Sequence, residues 1–416
     1  MRSGSLSAPP SSVMAEARAE HRPARWVRSR LRSAPFAALL NAVLVFVTVL
    51  LAAGLPRAVD RGEDAALRDF LRDRGLTATS LVTTSELRED DGSAELDAVA
   101  AALVARTGGE FRVAASGPVY GVFGAKGQSL GNPHLSRPDG ASPTLRLRHL
   151  ARLAEHATLT GGAWPAAVPA DRPLPIVVSG RSAEKLNIRL GDVLMNEYGP
   201  RDAPPSTGVQ VVGIFTPDDE ADPFWNELLC LTSPCLNIPD TFEWKRSWET
   251  VGLVGGDDLP RLLDWARGGH GYWKLPVDPD SLRADRLPAA ERALASYLTG
   301  PTATELVTAT DRSDLRTTSA LPELFALATA RRDAAAPLAA IGPAGLAGVV
   351  AVVLCLAAAL AADRRGPELL LLRARGGSRA GVLRRLLAEA AVTVLPGAAA
   401  GTALALLLLP TPRRGA

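Results

Sequence analysis

Three uncharged apolar stretches set the terms for this chain, because crossing a bilayer takes about 20 consecutive apolar residues with every backbone group paired inside the helix. Ser33 to Pro56 carries PFAALLNAVLVFVTVLLAAGL between Arg32 and Arg57, Ala334 to Ala362 carries PLAAIGPAGLAGVVAVVLCLAAALAA, and Ala390 to Pro412 carries AVTVLPGAAAGTALALLLL. They predict transmembrane helices over 34–56, 337–362 and 390–410. A secretory signal peptide competes for the first, since a basic stretch also precedes its apolar core. That core is longer than a usual signal core and LAAGLPRA is a weak cleavage site, so an uncleaved helix is expected.

Arginine placement gives the orientation. The first 33 residues hold seven Arg against two acids, and the loop 363–389 holds seven Arg against three acids. Both are expected on the cytoplasmic side of the cell membrane. Between them, residues 57–333 hold 30 Lys or Arg against 39 Asp or Glu, a net of −9 that the whole-chain charge of +2 conceals. That acidic segment is expected outside. Residues 1–24, rich in Ser, Ala, Pro and Arg without a period, read as a disordered cytoplasmic tail. Four Lys against 42 Arg resembles the codon usage of a GC-rich bacterium. Basic residues confined to membrane flanks point to anionic lipid head groups as partners and not to nucleic acid.

The exterior segment changes period along its length. RAVDRGEDAALRDFLRDRG is helical and extends the first span. SLVTTSE, FRVAA, VYGVFGA, TLRLRHL, LPIVVSG, GVQVVGIF and ETVGLVGG are short, rich in branched and aromatic residues, and bounded by Gly, Pro, Asn and Asp, which predicts strands. AELDAVAAALVART and DLPRLLDWARGG read as helices between them, and ERALASYL and LPELFALATARRDA lead helically into the second span. The expected fold class is an α-helical membrane protein with three transmembrane helices and a large extracytoplasmic α+β domain flanked by stalk helices.

Chemistry-bearing motifs are sparse. A phosphate-binding loop requires Gly-Lys, and none of Lys126, Lys185, Lys245 or Lys274 follows a Gly. No H-E-x-x-H occurs, and no G-x-S-x-G nucleophile elbow is expected. His21, His134, His149, His156 and His270 lack ligand spacing, and the acids of TPDDEAD lack the calcium-loop pattern. No enzyme activity, cofactor or metal is therefore expected. Cys230 and Cys235 lie in the segment where oxidation is permitted and read either as a small disulfide loop or as two buried thiols. Trp225, Trp244, Trp248, Trp265 and Trp273 fall close together, lining an aromatic groove or packing a core. The spans carry Asn41, Thr48 and Thr393 but no Asp, Glu, Lys, Arg or His, which disfavours an ion pathway.

The loop 363–389 has a design of its own. Gly366-Pro367-Glu368 reads as a helix start, with Pro in the first turn and an acid at the positive end of the dipole. ELLLLRAR is too short to span and ends at Gly376-Gly377. Ser378 then caps a second helix, with Leu383, Leu386, Leu387 and Ala390 on one face and Arg379, Arg384 and Arg385 on the other, fit to lie at a bilayer surface. The run DRRGPELLLLRARGGSRAGVLRRLLAEAAVTVLPGAAAGTALALLL resembles the membrane module of the FtsX-like permease family, which includes the MacB-type ABC transporters. Arg364, Arg365, Glu368, Leu369, Leu372, Arg373, Gly376, Ser378 and Glu389 carry the match, and Gly377 stands where the family most often has Ala. GGAWP, VVSGRSAEKLNIRLGDVL and VQVVGIFTPDDEADPFW are similar to the exterior core domain of actinobacterial members.

The resemblance implies a domain of the MacB periplasmic-core type, an ABC ATPase as partner, a second permease copy, and coupling to the ATPase through Arg364, Arg365, Glu368, Leu372, Arg373, Gly376 and Ser378. It also implies mechanical transmission without a continuous pore. Relatives of this shape include regulators of cell-wall hydrolases and peptide sensors, which is the alternative expectation. Members usually have a fourth span, whereas TPRRGA follows the third here, so a truncated gene product, half of a split permease, or a member whose third span inserts poorly is expected.

Overall fold

The computed structural model describes residues 35–200, 204–225, 228–238, 245–374 and 378–408. The tail expected over 1–24 lies outside the described residues. The chain divides into two units, one of Glu63–Arg332 and one formed by the segments on either side.

Glycine and proline punctuation sorts Glu63–Arg332 into short elements around one mixed sheet. α1 (Pro35–Ala78) enters this unit from its apolar half and is broken at Gly75, whose φ of 78° only glycine adopts without strain. There follow β1 (Ser80–Glu86), α2 (Ser93–Ala105), β2 (Val119–Gly124), β3 (Gln128–Ser129), β4 (Thr144–Leu150), β5 (Ala157–Gly162) and β6 (Leu174–Ser179). Then come α3 (Gly180–Leu186), β7 (Val193–Leu194), β8 (Val209–Pro217), β9 (Cys235–Asn237), β10 (Ser247–Val254), α4 (Leu259–Ala266) and β11 (Gly269–Pro276). α5 (Leu287–Thr299), α6 (Pro301–Thr310), β12 (Arg316–Thr318) and α7 (Leu321–Ala374) close the unit.

The strands run in the order β12-β1-β11-β2-β4-β10-β6-β8-β5, with β3, β7 and β9 paired at the side of this path. β4 with β10 and β6 with β8 are parallel; the remaining pairs are antiparallel. Six of the seven expected strands form. FRVAA does not: Phe111 and Val113 make only isolated bridges, to Gly108 and Val277.

The period of two along each strand feeds two separate cores. On β11, Trp273 packs with Leu71, Leu96, Tyr297 and Phe325 in the larger core, while its neighbour Tyr272 packs with Phe215, Trp225 and Val251 in the smaller one. Ile176 and Val177 on β6 divide the same way. The larger core also takes Leu67 and Leu71 from α1 and Leu321, Leu324 and Phe325 from α7. An ion pair between Glu63 and Arg332 at 2.6 Å and the Arg331 guanidinium 4.7 Å from the centre of the Phe70 ring join these two helices again.

In the flanking unit, α1 and α7 are long and apolar enough to cross a membrane, over Leu39–Ala78 and Leu321–Leu360. α8 (Arg379–Leu408) contains a shorter apolar run, Val394–Leu408. No residue in the most apolar window of α7 is buried, and Leu338, Ile341, Val349, Val352 and Leu356 are exposed. α8 packs on α1 through small residues: a Cβ on Gly397 would lie 2.4 Å from the Ala42 carbonyl oxygen and one on Gly401 2.7 Å from that of Phe46. Ala405, one turn further, is buried. Two hydroxyls bond within their own helices, Thr48 donating to the Leu44 carbonyl at 2.7 Å and Thr402 to that of Ala398 at 2.9 Å.

Candidate functional site

The loop expected to couple to an ATPase has a different backbone from the one its sequence predicts. α7 continues through Gly366-Pro367-Glu368 to Ala374, so the expected helix start is absent and Arg364, Arg365, Glu368, Leu372 and Arg373 lie on the end of one long helix. Proline at 367 removes one rung of hydrogen bonding close to the end of this helix. Gly376 lies outside the described residues. Ser378 immediately precedes α8, where a cap belongs, and is exposed. The expected surface helix and third span are one continuous α8, on which Leu383 and Leu387 are exposed.

On the domain, Cys230 and Cys235 are bonded, with Cα atoms 5.0 Å apart. The bridge closes a six-residue loop leading into β9, and closing so short a loop restricts the unfolded chain by about 2 kcal/mol. Cys230→Ser with Cys235→Ser should lower stability by about that amount, read as a shift in the urea midpoint of the full-length chain. A midpoint equal to that of the oxidised parent would refute a stabilising role for the bridge.

The tryptophans disperse. Trp273 is wholly buried and donates from Nε1 to the Leu96 carbonyl at 3.0 Å; Trp225 is buried in the other core. Trp248 and Trp265 pack at the edge of the larger core, with Lys185 5.5 Å from the centre of the Trp248 ring, and Trp244 lies outside the described residues. They form no shared groove among the described residues.

His149 and His134 have separate partners. His149 is buried, its Nδ1 2.9 Å from the Val254 carbonyl, and burial pushes its pKa down. His134 Nε2 lies 2.9 Å from Asp192. No group of three or more metal-ligating side chains occurs among the described residues. The TPDDEAD acids build their own turn: Asp218 accepts from the Thr158 hydroxyl at 2.7 Å, Asp219 from the Ala221 N–H at 2.8 Å, and Glu220 pairs with Arg181 at 2.6 Å.

One expectation needs correction. Gly127-Gln128-Ser129-Leu130-Gly131 does spell the G-x-S-x-G string. Its context is not an elbow, because Ser129 lies on β3, paired antiparallel with Thr144 of β4, and the next residue, Leu130, is buried. A nucleophile elbow needs a sharp strand-to-helix turn that exposes the hydroxyl.

Two polar clusters were missed in the sequence because their members are far apart along the chain. The first surrounds Arg312, which ion-pairs with Asp91; both side chains are more than nine-tenths buried. Arg312 also donates to the Ser85 hydroxyl at 3.2 Å and the Glu86 carbonyl at 3.1 Å. Burial pushes the Asp314 carboxyl up, but the Glu86 N–H, the Ser85 hydroxyl and Arg312 outweigh it and hold the pKa below the usual carboxylate range. The second cluster is a small pocket holding Ser116, His156, Asp222 and Lys274 beside Leu76 and Phe224.

No family model matches this chain, and no curated protein matches it.

Proposed function

We propose that this chain is the permease subunit of an ABC complex of the FtsX-like, MacB-type class, with three membrane-spanning helices and an exterior domain moved by a partner ATPase. The observation that carries the reading is that α1 and α7, both apolar enough to cross a membrane, also supply core residues to the mixed-sheet unit. Leu71 of α1 and Phe325 of α7 are almost wholly inaccessible there, so displacing either helix disturbs the sheet it packs against. In this reading the ATPase acts on the segment from the end of α7 to the start of α8, and Arg364, Arg365, Glu368, Leu372, Arg373, Gly376 and Ser378 form its docking surface. A second copy of the chain completes the assembly in the plasma membrane.

Tagged full-length protein, extracted from its native membrane in a mild detergent, should co-purify with an ABC ATPase. Reversing charge near the end of α7 with Arg364→Glu and Glu368→Arg should reduce the recovered ATPase at least about tenfold, as for removal of charged contacts. Recovery of a cell-wall hydrolase and no ATPase by the parent chain would overturn the reading in favour of a regulatory protein.

A further inference from the structure

Among the described residues, Arg68, Arg137, Arg148 and Arg261 each carry a buried guanidinium nitrogen without a hydrogen-bond partner. Three of them are engaged all the same. Arg68 lies 3.7 Å from an Asp280 oxygen, Arg137 donates to the Leu130 and Asn132 carbonyls at 3.4 Å, and Arg261 lies 3.7 Å from Asp258 and donates to the Arg172 carbonyl. Arg148 has neither an ion pair nor a hydrogen bond among the described residues. An arginine is charged at every ordinary pH, so its charge needs no special condition.

Aromatic rings hold it in place. Arg148 on β4 stands directly across from Phe123 on β2, which stands across from His270 on β11. The guanidinium carbon lies 4.4 Å from the centre of the Phe123 ring. Phe123 in turn lies parallel to Tyr272, 3.9 Å between centres and 10° between planes, and meets the exposed His270 ring edge-on at 5.8 Å. Ring faces attract the cation but accept none of its N–H groups in the plane of the fork. No carboxylate balances it either. Glu249 is taken by Arg146, and the acid in the same cross-strand row, Glu86 on β1, stands three strands away, about 14 Å at ordinary strand spacing. Burial pushes the Arg148 pKa down and Arg146 adds to the push, against Tyr272 and Glu249. A half-buried cation without a counter-charge costs stability, and a bound anion would offset that cost.

The planar fork matches the two oxygens of a carboxylate, and its aromatic support fixes the plane before a ligand arrives. With Arg146 already paired, one cation is available, which suits a single negative charge. Phe123 and His270 beside it present ring surface to whatever carries that charge. We propose that Arg148 anchors a binding site for a carboxylate carried on a flat ring: the guanidinium takes the carboxylate, and Phe123 and His270 meet the ring. The site goes beyond the permease reading and does not depend on ATPase coupling.

The test uses the full-length chain in detergent, titrated calorimetrically with benzoate, with acetate, and with benzamide, which keeps the ring and lacks the charge. Benzoate should bind saturably at one site per chain and raise the melting temperature as its concentration rises. Acetate should bind at least about threefold more weakly, because it leaves the rings uncovered. Benzamide should not bind. Arg148→Met should weaken benzoate at least about tenfold, the loss of a charge-assisted contact. Arg148→Lys keeps the charge and the long stem should the Met variant fail to fold; without the fork it should lose about fivefold. Arg106→Gln, at an exposed pair elsewhere, should leave binding unchanged. Absence of saturable benzoate binding, benzamide or acetate binding as tight as benzoate, or equal binding by the parent and the Arg148 variants would overturn the proposal.

Discussion

Arg312→Met should destabilise the mixed-sheet unit by about 3–5 kcal/mol, the usual cost of removing one partner from a buried ion pair. Substitution leaves the Asp91 carboxyl at 4% exposure without its ion-pair partner, although one of its oxygens still accepts the Arg88 N–H at 2.8 Å. It also strips a donor from the Ser85 hydroxyl and the Glu86 carbonyl at the end of β1, and removes a guanidinium 5.9 Å from the centre of the Trp273 ring. These contacts join β1, the segment before α2, and the turn after α6, so the loss should appear as a single cooperative shift in the urea midpoint. Arg106→Ala makes the comparison, because its pair with Glu305 is exposed on both sides and should cost no more than about 0.5 kcal/mol. Adding Asp91→Leu to Arg312→Met removes the stranded carboxyl and should recover part of the loss. A single-variant loss below about 1 kcal/mol would contradict the central role given to this pair.

Much of the domain was legible in the sequence where one local signal was strong. TLRLRHL alternates apolar with polar residues, SLVTTSE is rich in branched ones, and both form strands with those boundaries. GHGYWKLP carries no strand signal, yet it becomes β11, between β1 and β2 in the sheet. It opens on Gly-His-Gly and ends in Pro, which are turn signals, and its last six residues are all buried, so no alternation survives. FRVAA erred in the other direction, because propensity favoured a strand and the fold offered it no continuous neighbour. Pro367 and Gly376-Gly377 predict two short helices in the loop 363–389. α7 instead runs on past Pro367 to Ala374, and the glycine pair lies outside the described residues.

The polar clusters lay beyond sequence reasoning for a different reason. Ser116, His156, Asp222 and Lys274 have no common spacing, and each sits in a segment whose local pattern concerns a turn or a strand. What unites them is strand order: β11 lies next to β2, which brings Lys274 close to the turn preceding Val119, and this neighbour relation cannot be read locally. The same holds for Asp91 and Arg312. Their residue types were ordinary surface charges in the sequence, and only burial makes them informative.

Introducing bulk at the glycines of α8 should separate it from α1 while leaving α7 unaffected. Gly397, Gly401 and Ala405 recur every four residues on one face, the spacing that brings two helix backbones close in a membrane, where dispersion and packing replace the hydrophobic drive. The close approach is specific to backbone atoms. A side chain at 397 meets the Ala42 carbonyl and one at 401 meets the Phe46 carbonyl and the Leu50 nitrogen, none of which can turn aside as a flexible side chain would. Gly397→Leu and Gly401→Leu should therefore each destabilise the helix pair by about 1–3 kcal/mol, seen as a lower melting temperature in detergent. Gly345→Leu in α7 has open space around its Cβ and should change little. A covalent measurement gives the larger signal. A Cβ on Gly401 would lie 3.4 Å from the Val49 Cβ, close to the separation a disulfide requires, so Val49→Cys with Gly401→Cys, in a chain also carrying Cys355→Ala, should cross-link nearly completely on mild oxidation. Adding Gly397→Leu to that chain should suppress the cross-link, because the bulk sits one helical turn from the bond. Cross-linking that is weak in the first chain, or equally strong in both, would show that the two helices do not meet along this seam, and with it the support for α8 as a third membrane helix would fall.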